Sequence, residues 1–299
     1  MRSRGAGGIE WPTLALLALC YAAWGAAGLW LVPVSLPLAV LATAILLALH
    51  ASLQHEVLHG HPFADARLNA ALVFPALGLF IPYGRFRDTH LAHHRDAILT
   101  DPYDDPESNY LDPAQWARLP RWRGALLAAN NTLAGRMLIG PALSLAALLR
   151  DDLAAIRGGD RRVAAAWLWH LPALAPVALW LWLSPMPGWA YAAAAYLGLS
   201  LLKIRTFAEH QAHRQARCRS VVIEDRGPLA LLFLNNNFHV VHHMHPRLPW
   251  YRLPGRYFAD RGRYLRCNGG YVYRSYTALF LRHFLRAKDP VPHPLWRGR

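Results

Sequence analysis

Four stretches of this chain stay apolar for the length that a bilayer demands, and short breaks join them in pairs. A hydrocarbon core of about 30 Å takes about 20 mostly apolar helical residues. Trp11 to Val32 and Val34 to Gln54 meet that length, as do Val163 to Leu183 and Trp189 to Phe207. The break in the first pair centres on Pro33 and Pro37; in the second it is Ser184-Pro185-Met186-Pro187-Gly188. Both pairs read as tight helical hairpins, with spans over 11–32, 34–54, 163–183 and 189–207. Residues 55–162 and 208–299 then lie outside the hydrocarbon. Two more apolar runs are too short or too interrupted to cross. Asn69 to Tyr83 contains Pro75 and Pro82 and reads as interfacial or re-entrant. Ala125 to Leu149, interrupted by Asn130, Asn131, Arg136 and Pro141, reads as an interfacial helix pair.

Charge orients these elements. The formal net charge is +14, and neither hairpin turn holds a Lys or Arg. Every basic residue lies before the first span, between spans two and three, or from Lys203 onward. By the positive-inside rule both termini and the middle segment are cytoplasmic. A cleaved signal is a poor reading of the amino end, because its apolar stretch is span-length and a second follows directly. The basic residues form no run on a soluble module, and no nucleic-acid-binding motif is present, so membrane lipids rather than nucleic acid are the expected polyanion. Cys20, Cys218 and Cys267 are scattered and form no C-x-x-C pair, which argues against a disulfide framework or a thiolate site. No internal repeat or linker divides the chain, so residues 1–299 read as one domain.

The candidate chemistry sits beside the spans. Eight of the sixteen histidines fall in three clusters, His55-Glu56-Val57-Leu58-His59, His90-Leu91-Ala92-His93-His94 and His239-Val240-Val241-His242-His243. On a helix, a spacing of four stacks two imidazoles on one face, and H-x-x-H-H places three there. Imidazole is the commonest protein ligand for a transition metal. A catalytic zinc uses three protein ligands, so eight clustered histidines point to two metal ions.

These boxes, with their order, their spacing and the arrangement of spans, resemble the membrane fatty acid desaturases and related hydroxylases. The resemblance covers nearly the whole chain. It implies an all-α integral membrane fold of four spans in two hairpins, with interfacial helices and a cytoplasmic histidine-rich cap holding two iron ions. Box one maps onto His55 and His59, box two onto His90, His93 and His94, and box three onto His239, His242 and His243. A ninth ligand near the end of the fourth span maps onto His210. Some family members carry an asparagine one turn before it; Thr206 stands there in this chain. The family's acidic D-P turn after box two matches Asp104-Asp105-Pro106-Glu107, with Asp104 the expected carboxylate. Glu56, Asp104, Asn235 and Asn236 are the residues expected to orient ligands, since metal-bound imidazoles commonly donate their second N–H to such a group. Asp88, Asp101 and Glu209 are further carboxylates able to do so. His61, His213 and His245 flank the boxes and are not expected to be ligands. His50 and His170, inside spans, read as neutral groups bonded to a neighbouring helix.

The implied reaction is O2-dependent attack on an unactivated C–H bond of a fatty acyl or related lipid chain. Desaturation is the expected outcome, with hydroxylation as the alternative and carotenoid or alkane-like substrates open. Electrons must come from a separate donor, a ferredoxin or a cytochrome b5 type with its reductase. The chain has no haem motif, no G-x-G-x-x-G fingerprint and no cysteine set for an iron–sulfur cluster. Two other classes compete. An intramembrane zinc protease would use His55, Glu56 and His59 but leave both triplets idle. A metal transporter would place its ligands near midplane, not at the ends of spans.

Overall fold

The apolar periodicity becomes long helices, and the polar segments become many short ones. The computed structural model describes residues 8–94 and 96–298. Arg2, Arg4, Arg95 and Arg299, part of the charge pattern above, lie outside the described residues. In chain order the helices are α1 (Trp11–Ala26), α2 (Leu36–Leu58), α3 (Ala66–Leu72), α4 (Tyr83–His93), α5 (Pro113–Ala117), α6 (Arg121–Asn130), α7 (Leu133–Leu138) and α8 (Gly140–Arg157). Then follow α9 (Arg161–Leu183), α10 (Gly188–Ala208), α11 (Pro228–Leu232), α12 (His239–Met244), α13 (Leu253–Ala259), α14 (Arg261–Cys267) and α15 (Tyr276–His283). Among the described residues three helices are long and apolar enough to cross a membrane, Trp11–Leu31, Leu36–Leu58 and Arg161–Leu183. The expected fourth, α10, is as long but less apolar. Its first half is rich in Ala and Tyr, and Lys203 and Arg205 stand in its last turns.

The chain packs as two units. One takes residues up to Arg87 together with Ser144–Leu201; the other takes Asp88–Leu143 together with Leu202 onward.

In the first unit, α1 runs on through a π-helical turn, Ala27–Leu31. Ser35 caps α2 by accepting from the Leu38 N–H, and Pro37 occupies the first turn, where no N–H is required. Trp24 stacks on Trp180 at 4.6 Å and donates to the Tyr191 hydroxyl at 3.1 Å. Gly28 admits that stack, since a Cβ there would come within 2.0 Å of the Trp180 ring. Residues 73–82 are not helical, as their prolines predict, and their polar groups are tied to the helices. The Ala76 N–H donates to the Ala173 carbonyl at 2.9 Å, the Tyr191 hydroxyl to the Leu77 carbonyl at 2.9 Å, and His170 Nε2 to the Leu79 carbonyl at 2.7 Å. Irregular backbone among apolar helices persists only where its N–H and C=O groups find such partners. Arg85 grips Asp152 through three contacts of 2.7–3.0 Å, and the Trp167 indole donates to the same carboxylate at 2.8 Å.

In the second unit the run from Ala125 does not make a helix pair. It breaks into α6, α7 and the start of α8, because Asn131 and Thr132 stop the first helix and Thr132 caps the next by accepting from Gly135 at 3.0 Å. Only glycine fits at 135, where a Cβ would lie 1.9 Å from the Ala129 carbonyl oxygen. A two-stranded parallel sheet, β1 (Val222–Ile223) with β2 (Val272–Tyr273), lies beside the buried cluster of Phe238, Val240, Val241, Leu253, Tyr257 and Tyr264. That cluster seats α12 against α13, so the aliphatic residues within box three are buried by the same packing that positions its histidines.

Candidate metal centre

Helical spacing puts the boxed imidazoles of the second unit on shared faces. His90 and His93 lie on α4; His94 follows, its N–H still bonded to the His90 carbonyl at 3.1 Å. His239, His242 and His243 all lie on α12. His210 stands just beyond α10, in an antiparallel bridge with Ser220.

His93, His210, His239 and His243 form one set whose ligand atoms all lie within 4.8 Å of one another. His210 Nε2 is 2.8 Å from His93 Nε2 and 3.0 Å from His239 Nε2, and His243 Nε2 is 3.2 Å from His239 Nε2. His90, His94 and His242 form a second set, with Nε2 separations of 2.9 Å for His90–His94 and 3.1 Å for His94–His242.

The opposite edges of these rings face acceptors. His93 Nδ1 donates to Asp105 at 2.7 Å and His90 Nδ1 to Glu107 at 2.9 Å. His239 Nδ1 donates to the Asn236 side-chain oxygen at 3.3 Å, and His210 Nδ1 is 3.3 Å from the Ser220 hydroxyl. A carboxylate or amide oxygen only accepts, so in their neutral forms His90, His93 and His239 carry the proton on Nδ1 and leave a bare lone pair on Nε2. His93 and His239 both turn such a lone pair toward His210, which can offer at most one proton. The cluster thus holds more lone pairs than protons, and a cation among the Nε2 atoms is what balances it. Iron, zinc and copper all suit an imidazole shell, and carboxylate-backed histidines are the usual ligands of such metals. The donor set therefore fits a metal.

The electrostatics favour positive charge at His93: burial lowers its pKa, but Glu107 and Asp105 outweigh it and push it up to about 9, so its Nε2 takes either a proton or a cation. Burial holds His210 and His239 well below the usual imidazole value, and their positive neighbours add to that. Burial also raises Glu209, although the Arg205 guanidinium 3.0 Å away opposes it.

The residues expected to orient ligands divide. Asn236 does touch His239, and its amide donates to Glu209 at 3.2 Å. Asn235 instead takes a left-handed conformation, φ 55°, and donates to the Trp250 carbonyl. Asp104 is exposed, with its backbone N–H on the Asp101 carboxylate. Its neighbours Asp105 and Glu107 reach the imidazoles, because Asp105 also accepts the Thr100 and Glu107 N–H groups and so fixes the turn inward. The acidic D-P turn was the available signal; which carboxylate faces inward is set by those backbone bonds. Ser220 carried no signal in the pattern.

In the first unit His55 and His59 lie at the end of α2, ring centroids 4.9 Å apart. Glu56 lies 3.7 Å from His61 Nε2, and Glu10 is 3.6 Å from His61 Nδ1. His50 pairs with the Tyr21 hydroxyl at 3.1 Å, and His170 meets the Leu79 carbonyl of an irregular segment, not a neighbouring helix. His213 bonds within its own turn at Gln215, and His245 hydrogen-bonds Tyr264.

Comparison with known proteins decides the class. The family model for fatty acid desaturases matches residues 30–266, most of the chain and all the boxes. The chain belongs to the fatty acid desaturase family. It is similar to a beta-carotene ketolase of Paracoccus sp. (strain N81106 / MBIC 01143), 26% identical over 72% of this chain and 74% of that one. A beta-carotene ketolase of Paracoccus sp. (strain PC1) is 28% identical over 81% of this chain and 79% of its own. As a member of this family the chain is a membrane oxidoreductase of the di-iron type, and the protease and transporter readings fall.

Proposed function

We propose that this chain is an O2-dependent di-iron oxygenase that converts a methylene of a carotenoid-like chain to a hydroxyl or a ketone. The observation that carries the reading is the convergence of bare Nε2 atoms from His93, His210, His239 and His243, backed by Asp105 and Asn236. The names of the two relatives support oxygen insertion over desaturation. Acyl-chain desaturation is the second reading, favoured by the family model.

In this proposal one iron is held by His93, His210, His239 and His243. The other takes His90, His94 and His242; His55 and His59 of box one are counted among the ligands on the resemblance of the boxes alone. Bound iron supplies the O2 chemistry. The chain's own residues fix the imidazole rings, keep their Nε2 lone pairs free through Asp105, Glu107 and Asn236, and hold the site in buried surroundings. All of residues 1–299 serve this one centre as a functional domain, with α10 as a fourth span and with both termini and the boxes on the cytoplasmic side. A separate one-electron carrier and membrane lipids complete the system.

The test is mass spectrometry of lipids and carotenoids after expression in a carotenoid-producing host with O2 and a reductase system. One oxygen gained with two hydrogens lost marks a ketone, and one oxygen gained alone marks a hydroxyl. Two hydrogens lost from acyl chains, with the carotenoid untouched, would replace the proposal by its second reading.

A further inference from the structure

The surface beside the box-three helix combines free positive charge with an exposed aromatic ring. From Met244 to Cys267 the chain carries six Arg and one Asp. Arg247, Arg252, Arg256, Arg263 and Arg266 are exposed or half-buried and take part in no ion pair among the described residues, whereas Arg261 is held by Glu224. Between them Phe258 on α13 is 46% exposed, and Met244, at the end of α12, is 37% exposed.

A lone exposed ring is ordinary. What distinguishes Phe258 is what lies beneath it. Its centroid is 5.8 Å from that of Phe238, which is fully buried and is the residue before His239. Tyr257 lies 5.1 Å from Phe258 and 5.2 Å from Phe238, so the three rings make one packed cluster. Tyr264, 6.0 Å from Tyr257, hydrogen-bonds His245 at 3.2 Å. Two packed side chains and one peptide link therefore separate solvent from a ligating imidazole.

We propose that this patch is where a reduced, acidic one-electron carrier of the ferredoxin class docks and passes electrons toward the metal centre, an inference that rests on the oxygenase reading above. Hydroxylation of R–H consumes O2, two electrons and two protons, and gives R–OH and water, so a one-electron carrier docks twice per turnover. Charge complementarity selects an acidic partner: an arginine rim on a strongly basic chain steers such a carrier. An anionic lipid headgroup is the competing occupant.

The test uses the full-length, iron-loaded protein in zwitterionic lipid nanodiscs, with a pre-reduced plant-type [2Fe–2S] ferredoxin followed by stopped flow. The Arg256→Glu/Arg263→Glu variant is expected to lose about tenfold or more in second-order rate at low salt, with the gap closing as salt rises. Phe258→Ala is expected to keep ferredoxin affinity and lower the rate at saturation. Arg282→Glu, an exposed control on α15, and reduction by dithionite in every variant are expected to stay at the wild-type rate. Unchanged ferredoxin rates, an equal loss with dithionite, or an effect confined to binding of anionic vesicles would each overturn the assignment. A wild-type protein that accepts electrons from ferredoxin yet forms no oxygenated product would sink the oxygenase reading and leave the docking surface standing.

Discussion

The two units spend their polar groups in opposite ways. In the first, apart from box one and its neighbours at the end of α2, polar groups tie one helix to another or to an irregular segment: Trp24 on Tyr191, Tyr191 on the Leu77 carbonyl, Arg85 and Trp167 on Asp152. Each satisfies a group that burial would otherwise leave costly. In the second, buried imidazoles crowd nitrogen to nitrogen around His210, and the compensating acceptors stand on the far edges of the rings. Such a cluster is poor packing and good coordination. The contrast teaches that the helices of the first unit are held by paired polar groups, while the core of the second is built around an ion.

Asp152→Ala should strike the first unit hardest. It strands the largely buried Arg85 guanidinium without its partner, and breaking a buried pair costs about 3–5 kcal/mol. Unfolding in mixed detergent should show that loss, with unchanged metal content in the molecules that remain folded. A loss below about 1 kcal/mol would mean that the pair is solvated and that the two units differ less than their contacts suggest.

Asp105→Asn sharpens the other side. It weakens the group that orients His93, and substitutions of this kind cost about 10–100-fold in metal affinity. Competition with a chelator would measure it. The same change at Asp104, which is exposed, should leave affinity close to wild type; equal losses at the two positions would contradict the inward role of Asp105.

The smallest effect concerns acid. The Arg261 guanidinium, followed by the Tyr257 hydroxyl, holds the Glu224 carboxyl below its usual value. A depressed carboxylate contributes stability that is present above its unfolded pKa and disappears as pH falls through its folded one. With Arg261 exposed, solvent and salt screen the pair and little stability is at stake. Between about pH 5 and pH 3 the wild type should therefore lose slightly more stability than Glu224→Gln. Parallel acid melts would show that the pair carries nothing.

Much of this is legible in the pattern of residues alone. Span-length apolar runs mark α1, α2, α9 and α10, and the prolines at 75 and 82 mark the irregular segment between α3 and α4. Histidine spacing marks α4 and α12, because ligands three and four apart share a helix face only in helical form. What stays hidden depends on contacts between distant residues or on backbone detail. No pattern distinguishes Asp104 from Asp105, since the choice lies in which carboxylate accepts the Thr100 N–H. Asn235 and Asn236 are alike in sequence, but a left-handed backbone at 235 turns one side chain to Trp250 and leaves the other for His239. The run from Ala125 breaks both at Asn131 and just before Pro141, two of its marked interruptions, so three helices stand where a pair is expected.

The most direct test is metal content with identity, by elemental analysis and Mössbauer spectroscopy of the detergent-purified chain grown with labelled iron. The account predicts about two iron ions per chain in wild type and loss of iron from His210→Ala and from His239→Ala. About one zinc with no iron, or two irons retained in both variants, would contradict it.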